Sequence, residues 1–261
     1  MSRLEELLRP IGLSSLARGP TYRAIRDPEW TFGRDGLRSR SALRQLRNSH
    51  QGAEGFIVGT GPSLNDTALD RIGDRPSIGV NRLFLGFQDF GFVPDFLVCV
   101  NLLMIEQSAA VISQLPCMKV ASWEGRRHLG QNPDTIYLRT TDSIIFSHRL
   151  MDTVSTGATV TYVAMQLAYW LGWQRVVLLG IDHNYDLEQH ELHSSPHQKV
   201  TRTKADRNHF HEGYMPAGES WQLPDLAQSE MAYREARRAF EAGGREILDA
   251  KVKRKLRVFP R

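Results

Sequence analysis

The chain has 261 residues, 41% of them hydrophobic and 24% charged, with a net charge of +4. That composition provides the core of one large globular domain and excludes disordered or collagen-like chains. Two cysteines, Cys99 and Cys117, form no disulfide framework and point to a reducing, cytoplasmic compartment. No apolar run reaches the roughly 18 residues of a spanning helix, and the charged opening MSRLEELLRP does not read as a signal peptide.

Residues 1–50 read as a basic helical N-terminal arm, with ten basic and five acidic side chains. Leu4, Leu7, Leu8 and Ile11 have helical spacing, and Leu37 to Leu46 reads as a second amphipathic helix. A catalytic α/β domain is expected over 51–250. Its first strand, FIVG (56–59), ends in a Gly/Pro turn, and a short helix is expected over 63–72. SIGVN (77–81) and DFLVCV (95–100) are further strands, and CMKVAS (117–122) and TIYLRT (135–140) are weaker ones. Residues 156–171 form the clearest helix, and RVVLLGID (175–182) follows as the strongest parallel-strand signal. The stretch 183–224 is polar and rich in histidine. A last helix is expected over 225–243 and a last strand over 245–250. The tail 251–261 carries six basic residues and no acid.

Short apolar strands alternating with amphipathic helices predict a Rossmann-like fold, a mostly parallel sheet with helices on both faces. Ligands on such sheets bind at the carboxyl ends of the strands, where the strand order reverses. The loops after residues 59, 81, 101 and 180 should therefore face one crevice. The basic charge sits at the two ends rather than on the folded body, which argues against nucleic acid and suits peripheral contact with an anionic membrane.

Four loops hold candidate chemistry. Gly59, Thr60, Gly61 and Ser63 follow a strand and open a helix, where glycine admits close backbone approach and free N–H groups attract phosphate. Leu64 stands where a dinucleotide fingerprint needs its third glycine, and no Gly-Lys-Ser/Thr follows. Asn81 ends the next strand and offers a donor and an acceptor to a base or sugar. Ser155, Thr156 and Gly157 repeat the hydroxyl-and-glycine chemistry before the long helix. Asp182 ends a central strand, where it could hold ribose hydroxyls, orient a catalytic group or share a metal with Asp186. The histidines 183, 190, 193, 197, 209 and 211 lack a companion cysteine. They read as a lid that carries a general base rather than as a zinc site.

G-T-G-P-S-L (59–64), G-V-N-R-L-F (79–84), V-S-T-G-A-T (154–159), G-I-D (180–182) and N-H-F-H-E-G-Y (208–214) are followed by W-x-L-P (221–224). Together they resemble the 6-hydroxymethylpterin diphosphokinase MptE-like domain family, which includes motility accessory factors. That family is linked to bacterial sialyltransferases that use CMP-sugar donors. The resemblance covers roughly 55–250. It implies a transferase in which Gly59, Gly61, Ser63 and Asn81 contact a nucleotide and Ser155, Thr156 and Gly157 lie near the donor's phosphate or sugar. It further implies that Asp182 and Tyr185 close the donor site, with Tyr185 at the leaving phosphate, and that His209 is the general base. The segment after G-I-D departs from the sialyltransferases, which place a second phosphate-binding tyrosine there. The expected activity is glycosyl transfer from a nucleotide-activated, CMP-type sugar to a glycan or lipid-linked acceptor in surface glycan assembly, without a cofactor. A diphosphokinase acting from ATP on a pterin-type alcohol is the second reading, with magnesium on Asp182 and Asp186. A non-catalytic nucleotide-binding scaffold is the third.

Overall fold

The computed structural model describes residues 27–184, 199–201, 207–216, 219–250 and 256–261. The expected first arm helix, residues Tyr185, Asp186, His190, His193 and His197, and tail residues 251–255 lie outside the described residues.

Seven parallel strands form the sheet. They are β1 (Glu54–Val58), β2 (Ser77–Val80), β3 (Phe96–Cys99), β4 (Met118–Ser122), β5 (Thr135–Leu138), β8 (Arg175–Leu179) and β11 (Glu246–Asp249). Their order is β11-β8-β1-β2-β3-β4-β5. The chain winds outward from β1 to β5 and then returns to the other side of β1. Two-residue strands β6 (Thr140–Thr141) and β7 (Val154–Ser155) pair beside the sheet, and β9 (Lys199–Thr201) pairs antiparallel with β10 (Ser220–Gln222).

Strand side chains alternate between two apolar layers, as a pleated sheet covered on both faces requires. Ile57, Ile78, Phe96, Val98, Val120, Ile136 and Leu178 face one layer. Helices α5 (Val160–Leu171) and α6 (Leu226–Ala242) cover it. Helix α5 is buried almost all round, so its apolar residues occupy nearly every position and no polar stripe survives. Phe56, Val58, Leu97, Cys99, Ala121 and Tyr137 face the opposite layer. Helix α3 (Leu102–Ile112), the short α4 (Arg126–Leu129) and several 3₁₀ turns cover that side.

The expected helix over 63–72 is two 3₁₀ turns, Pro62–Asp66 and Leu69–Ile72, broken at Thr67 and Ala68. Thr67 returns its hydroxyl to the Ser63 carbonyl at 2.9 Å, a local bond that competes with helix continuation. The long helix starts at Val160 rather than 156, because Gly157 and Ala158 have positive φ values of 54° and 59° and Thr159 caps the helix.

Short α1 (Pro28–Phe32) and α2 (Arg34–Leu46) lie against the β5 edge. Trp30 packs edge-on against Trp123 with ring centroids 5.1 Å apart, and Leu43 is fully buried. The buried Ser39 hydroxyl accepts the Tyr137 N–H at 3.0 Å, so a side chain closes a hydrogen bond that an open sheet edge would expose.

Candidate ligand site at the switch in strand order

Strand order reverses between β1 and β8, and the loops leaving these two strands are stitched together. Gly59 donates to the Leu179 carbonyl at 2.7 Å, and Gly61 donates to the Gly180 carbonyl at 2.9 Å. Asp182 folds back over the first loop. Its Oδ2 accepts the Ser63 N–H at 2.8 Å and its Oδ1 accepts the Ser63 hydroxyl. A Cβ on residue 61 would meet Asp182 Cγ and Oδ2 at 2.6 Å, so the latch requires glycine there. The first loop therefore opens a 3₁₀ turn already capped by Asp182, and not the helix N-terminus expected from sequence.

A cavity of about 400 Å³ lies at the carboxyl ends of the strands. That volume falls within the range of small-molecule sites. Gly59, Thr60, Gly61, Asn81, Asp182 and His209 lie on its wall, so the loops after β1, β2 and β8 converge as expected. Val100 and Asn101 bring the loop after β3 to the same wall. The 155–159 loop contributes Thr156, Ala158 and Thr159.

Ser63, Ser155 and Gly157 are not on the wall. Ser63 is turned onto Asp182. Ser155 is buried, donates its hydroxyl to the Ile145 carbonyl and donates its N–H to Ser147 Oγ at 3.2 Å. A Cβ on residue 157 would meet Ala232 and Tyr162 side-chain carbons at 2.5 Å, so Gly157 lets the loop press against α5 and α6.

The segment 208–216 is fastened to the first loop. Phe210 donates to the Thr60 carbonyl at 3.0 Å, and Asn65 Nδ2 donates to the Phe210 carbonyl at 2.9 Å. His209 stacks on Tyr214, with centroids 3.7 Å apart and planes 9° from parallel. The Tyr214 hydroxyl is bonded to Thr60 Oγ1 at 3.3 Å and also to Asn81. Burial pushes the Tyr214 phenol up to about 12. His211 accepts the Gly213 N–H on Nδ1 at 3.0 Å and caps the 212–214 turn, so of these two histidines it is His209 that faces the cavity.

Asn81 stands at φ 50° with a buried Oδ1 that finds no partner among the described residues. Ala158 and His183 also have positive φ and also line the cavity. Non-glycine residues held in this left-handed region cost free energy and concentrate at ligand sites. His183 lies near Tyr233, with ring centroids 5.9 Å apart, and burial lowers its pKa against a smaller opposing effect of Glu230. Tyr233 donates to or accepts from Thr159 Oγ1 at 3.3 Å, and burial raises its pKa. His183, expected from sequence as part of a histidine lid, and Tyr233 of the last helix both hold places on the wall, and the positive φ at 183 has no sequence signal.

Three helices begin at the cavity: α3 at Leu102, α5 at Val160 and α6 at Leu226. Asn101, Thr159 and Asp225 cap them through side-chain oxygens. Their positive dipole ends favour an anion. Asp182 lies on the wall, but its oxygens are engaged by Ser63. No group of three His, Cys, Asp or Glu among the described residues is placed to hold a metal ion. Asp186, the second expected magnesium ligand, lies outside the described residues.

A seven-stranded parallel sheet with helices on both faces and a cavity at its order switch defines a Rossmann-like α/β protein. The chain belongs to the 6-hydroxymethylpterin diphosphokinase MptE-like family, whose model matches residues 35–188. The MAf glycosyltransferase from Magnetospirillum magneticum AMB-1 shares the fold at 15% identity and a TM-score of 0.51, over 92% of this chain and 40% of that one. The chain thus spans well under half the length of that protein. The sialyltransferase CstII from Campylobacter jejuni, solved with the substrate analogue CMP-3FNeuAc, aligns at 14% identity and a TM-score of 0.40, over 79% of this chain and 84% of that one. No curated protein matches the chain. No helix among the described residues is long and apolar enough to cross a membrane.

Proposed function

We propose that the chain is a nucleotide-dependent transferase that moves a glycosyl group from a nucleotide-activated, CMP-type sugar to an acceptor hydroxyl. The observation that carries this reading is the convergence of four strand-end loops and three helix N-termini on one cavity that also holds His209. The donor phosphate sits beside the first loop at Thr60 and against the N-terminus of α5. Asn81 Oδ1, buried without a described partner, accepts from the base or sugar. His209 takes the proton of the acceptor hydroxyl as its oxygen bonds the sugar carbon and the bond from that carbon to phosphate breaks. The departing phosphate gains its charge next to fixed dipoles, which need no rearrangement as the reaction proceeds. The fold shared with a glycosyltransferase supports the glycosyl reading. The family description supports the second reading, diphosphoryl transfer, in which Asp182 would have to leave Ser63 to hold magnesium. A glycan or lipid-linked acceptor and peripheral contact of the basic tail with an anionic membrane complete the proposal.

Thermal unfolding with CMP, CDP, UDP, GDP and ATP, each with and without magnesium, tests the reading. A ligand at 100 times its Kd stabilises by about 2.7 kcal/mol. CMP is expected to raise the Tm without magnesium. A response to ATP alone, dependent on magnesium, would replace glycosyl with diphosphoryl transfer. No response to any nucleotide would leave a scaffold.

A further inference from the structure

Arg82 is the one lysine or arginine on the cavity wall among the described residues. It is also buried, with 6% of its side chain exposed. Every guanidinium nitrogen is engaged. Nε donates to Ser108 Oγ at 3.0 Å, Nη2 to Gln107 Oε1 at 3.3 Å, and Nη1 to the Tyr214 carbonyl. Its one ion pair among the described residues is with Glu219, whose Oε2 lies 2.8 Å from Nη1. Glu219 is itself on the wall, is 31% exposed, and precedes β10.

The two partners are unequal. Arg82 is fixed by three neutral acceptors, and its charge cannot leave, because guanidinium stays protonated. Glu219 is joined to the same place from a more exposed position. A buried cation needs a counter-charge, and removing it is costly. An anion that enters the cavity offers an oxygen like the one Glu219 presents to Nη1, in a charge-assisted contact of the same kind. One guanidinium cannot present the same N–H to two anions, and two anions side by side repel.

We propose that Arg82 is the anion-binding residue of this cavity and that Glu219 is a built-in stand-in which the phosphate of the incoming donor displaces. The exchange rests on the transferase reading, and it adds to that reading the residue that recognises the donor's charge. It also couples binding to movement: when Glu219 leaves Arg82, the strand that follows it, β10, loses a tether.

The variant Glu219→Gln keeps the size of the side chain and removes its charge. Unfolding midpoints are measured for both proteins as inorganic phosphate, and separately CMP, is added. Without anion, the variant is expected to melt lower, since Arg82 lacks its counter-charge. With anion, its Tm is expected to rise more than that of the wild type, and its Kd for phosphate to fall several-fold. Equal shifts and equal Kd values in the two proteins would overturn the exchange while leaving the transferase reading intact. No response to phosphate or CMP in either protein would overturn both the exchange and the CMP-type donor. If the variant does not fold, amide hydrogen exchange of the wild type decides. Phosphate is expected to slow exchange at 59–61 and speed it at 219–222. Slowing at both segments would contradict the displacement.

Discussion

Gly61 and Asp182 show how closely one residue can be prescribed by its neighbour. The first loop turns under the carboxylate that caps it, and a single methyl group at 61 would enter that carboxylate. Gly61→Ala is expected to destabilise the protein by about 1–3 kcal/mol, as overpacking does, and to weaken nucleotide binding as the loop shifts. Denaturant unfolding and nucleotide titration check both. His209→Ala is expected to lower kcat by about 10²–10⁴-fold, the usual contribution of general acid–base catalysis, while the Kd for nucleotide changes little. A matched loss in Kd would instead make His209 a binding residue. His183 adds a pH dependence. Burial depresses its folded pKa, so the unfolded chain takes up the proton first as pH falls. Stability is therefore full above the ordinary histidine pKa, near 6.5, and declines below it until the folded pKa is passed. His183→Gln is expected to flatten this part of the stability–pH curve. At this scale the sequence allows the glycine and hydroxyl loops to be recognised, because turns and strand ends are local signals. The pairing of Ser63 with Asp182, or of Arg82 with Glu219, is not legible, because each partner lies more than a hundred residues away in the chain.

The elements that frame the cavity are set by their caps and their buried faces. Helix α3 went unread in the sequence because DFLVCV runs directly into LLMI, so an apolar strand and an apolar helix merge into one stretch. The boundary is Asn101, which leaves the strand and accepts the Met104 N–H at 3.1 Å. The β9–β10 pair was equally hidden within a polar segment. The strands β1, β2, β3, β8 and β11 and the helices α5 and α6 were legible, since their apolar spacing is strong and their ends carry Gly, Pro or Asp. Helix α2 was legible as a helix, whereas its role at the sheet edge was not, because a serine that satisfies a backbone N–H looks like any other serine. Ser39→Ala would leave the buried Tyr137 N–H without its acceptor and is expected to cost about 1–3 kcal/mol. Ser39→Thr, which retains the hydroxyl, should recover part of that loss if the bond rather than the volume matters.

The whole molecule places its chemistry by topology. Winding from β1 to β5 puts one set of covers on one face, and the return through α5 to β8 puts the other set on the opposite face. The gap between the two directions falls where the loops after β1 and β8 meet, and α5 and α6 start beside it. An anion there faces dipole ends, one buried arginine and few mobile charges. The most direct test is a crystal structure of the protein grown with CMP. The account predicts the phosphate in this cavity, within hydrogen-bonding distance of Arg82, Thr60 or the first turn of α5, with His209 facing the open side of the cavity. A nucleotide bound on any other surface, with this cavity filled only by solvent, would contradict it.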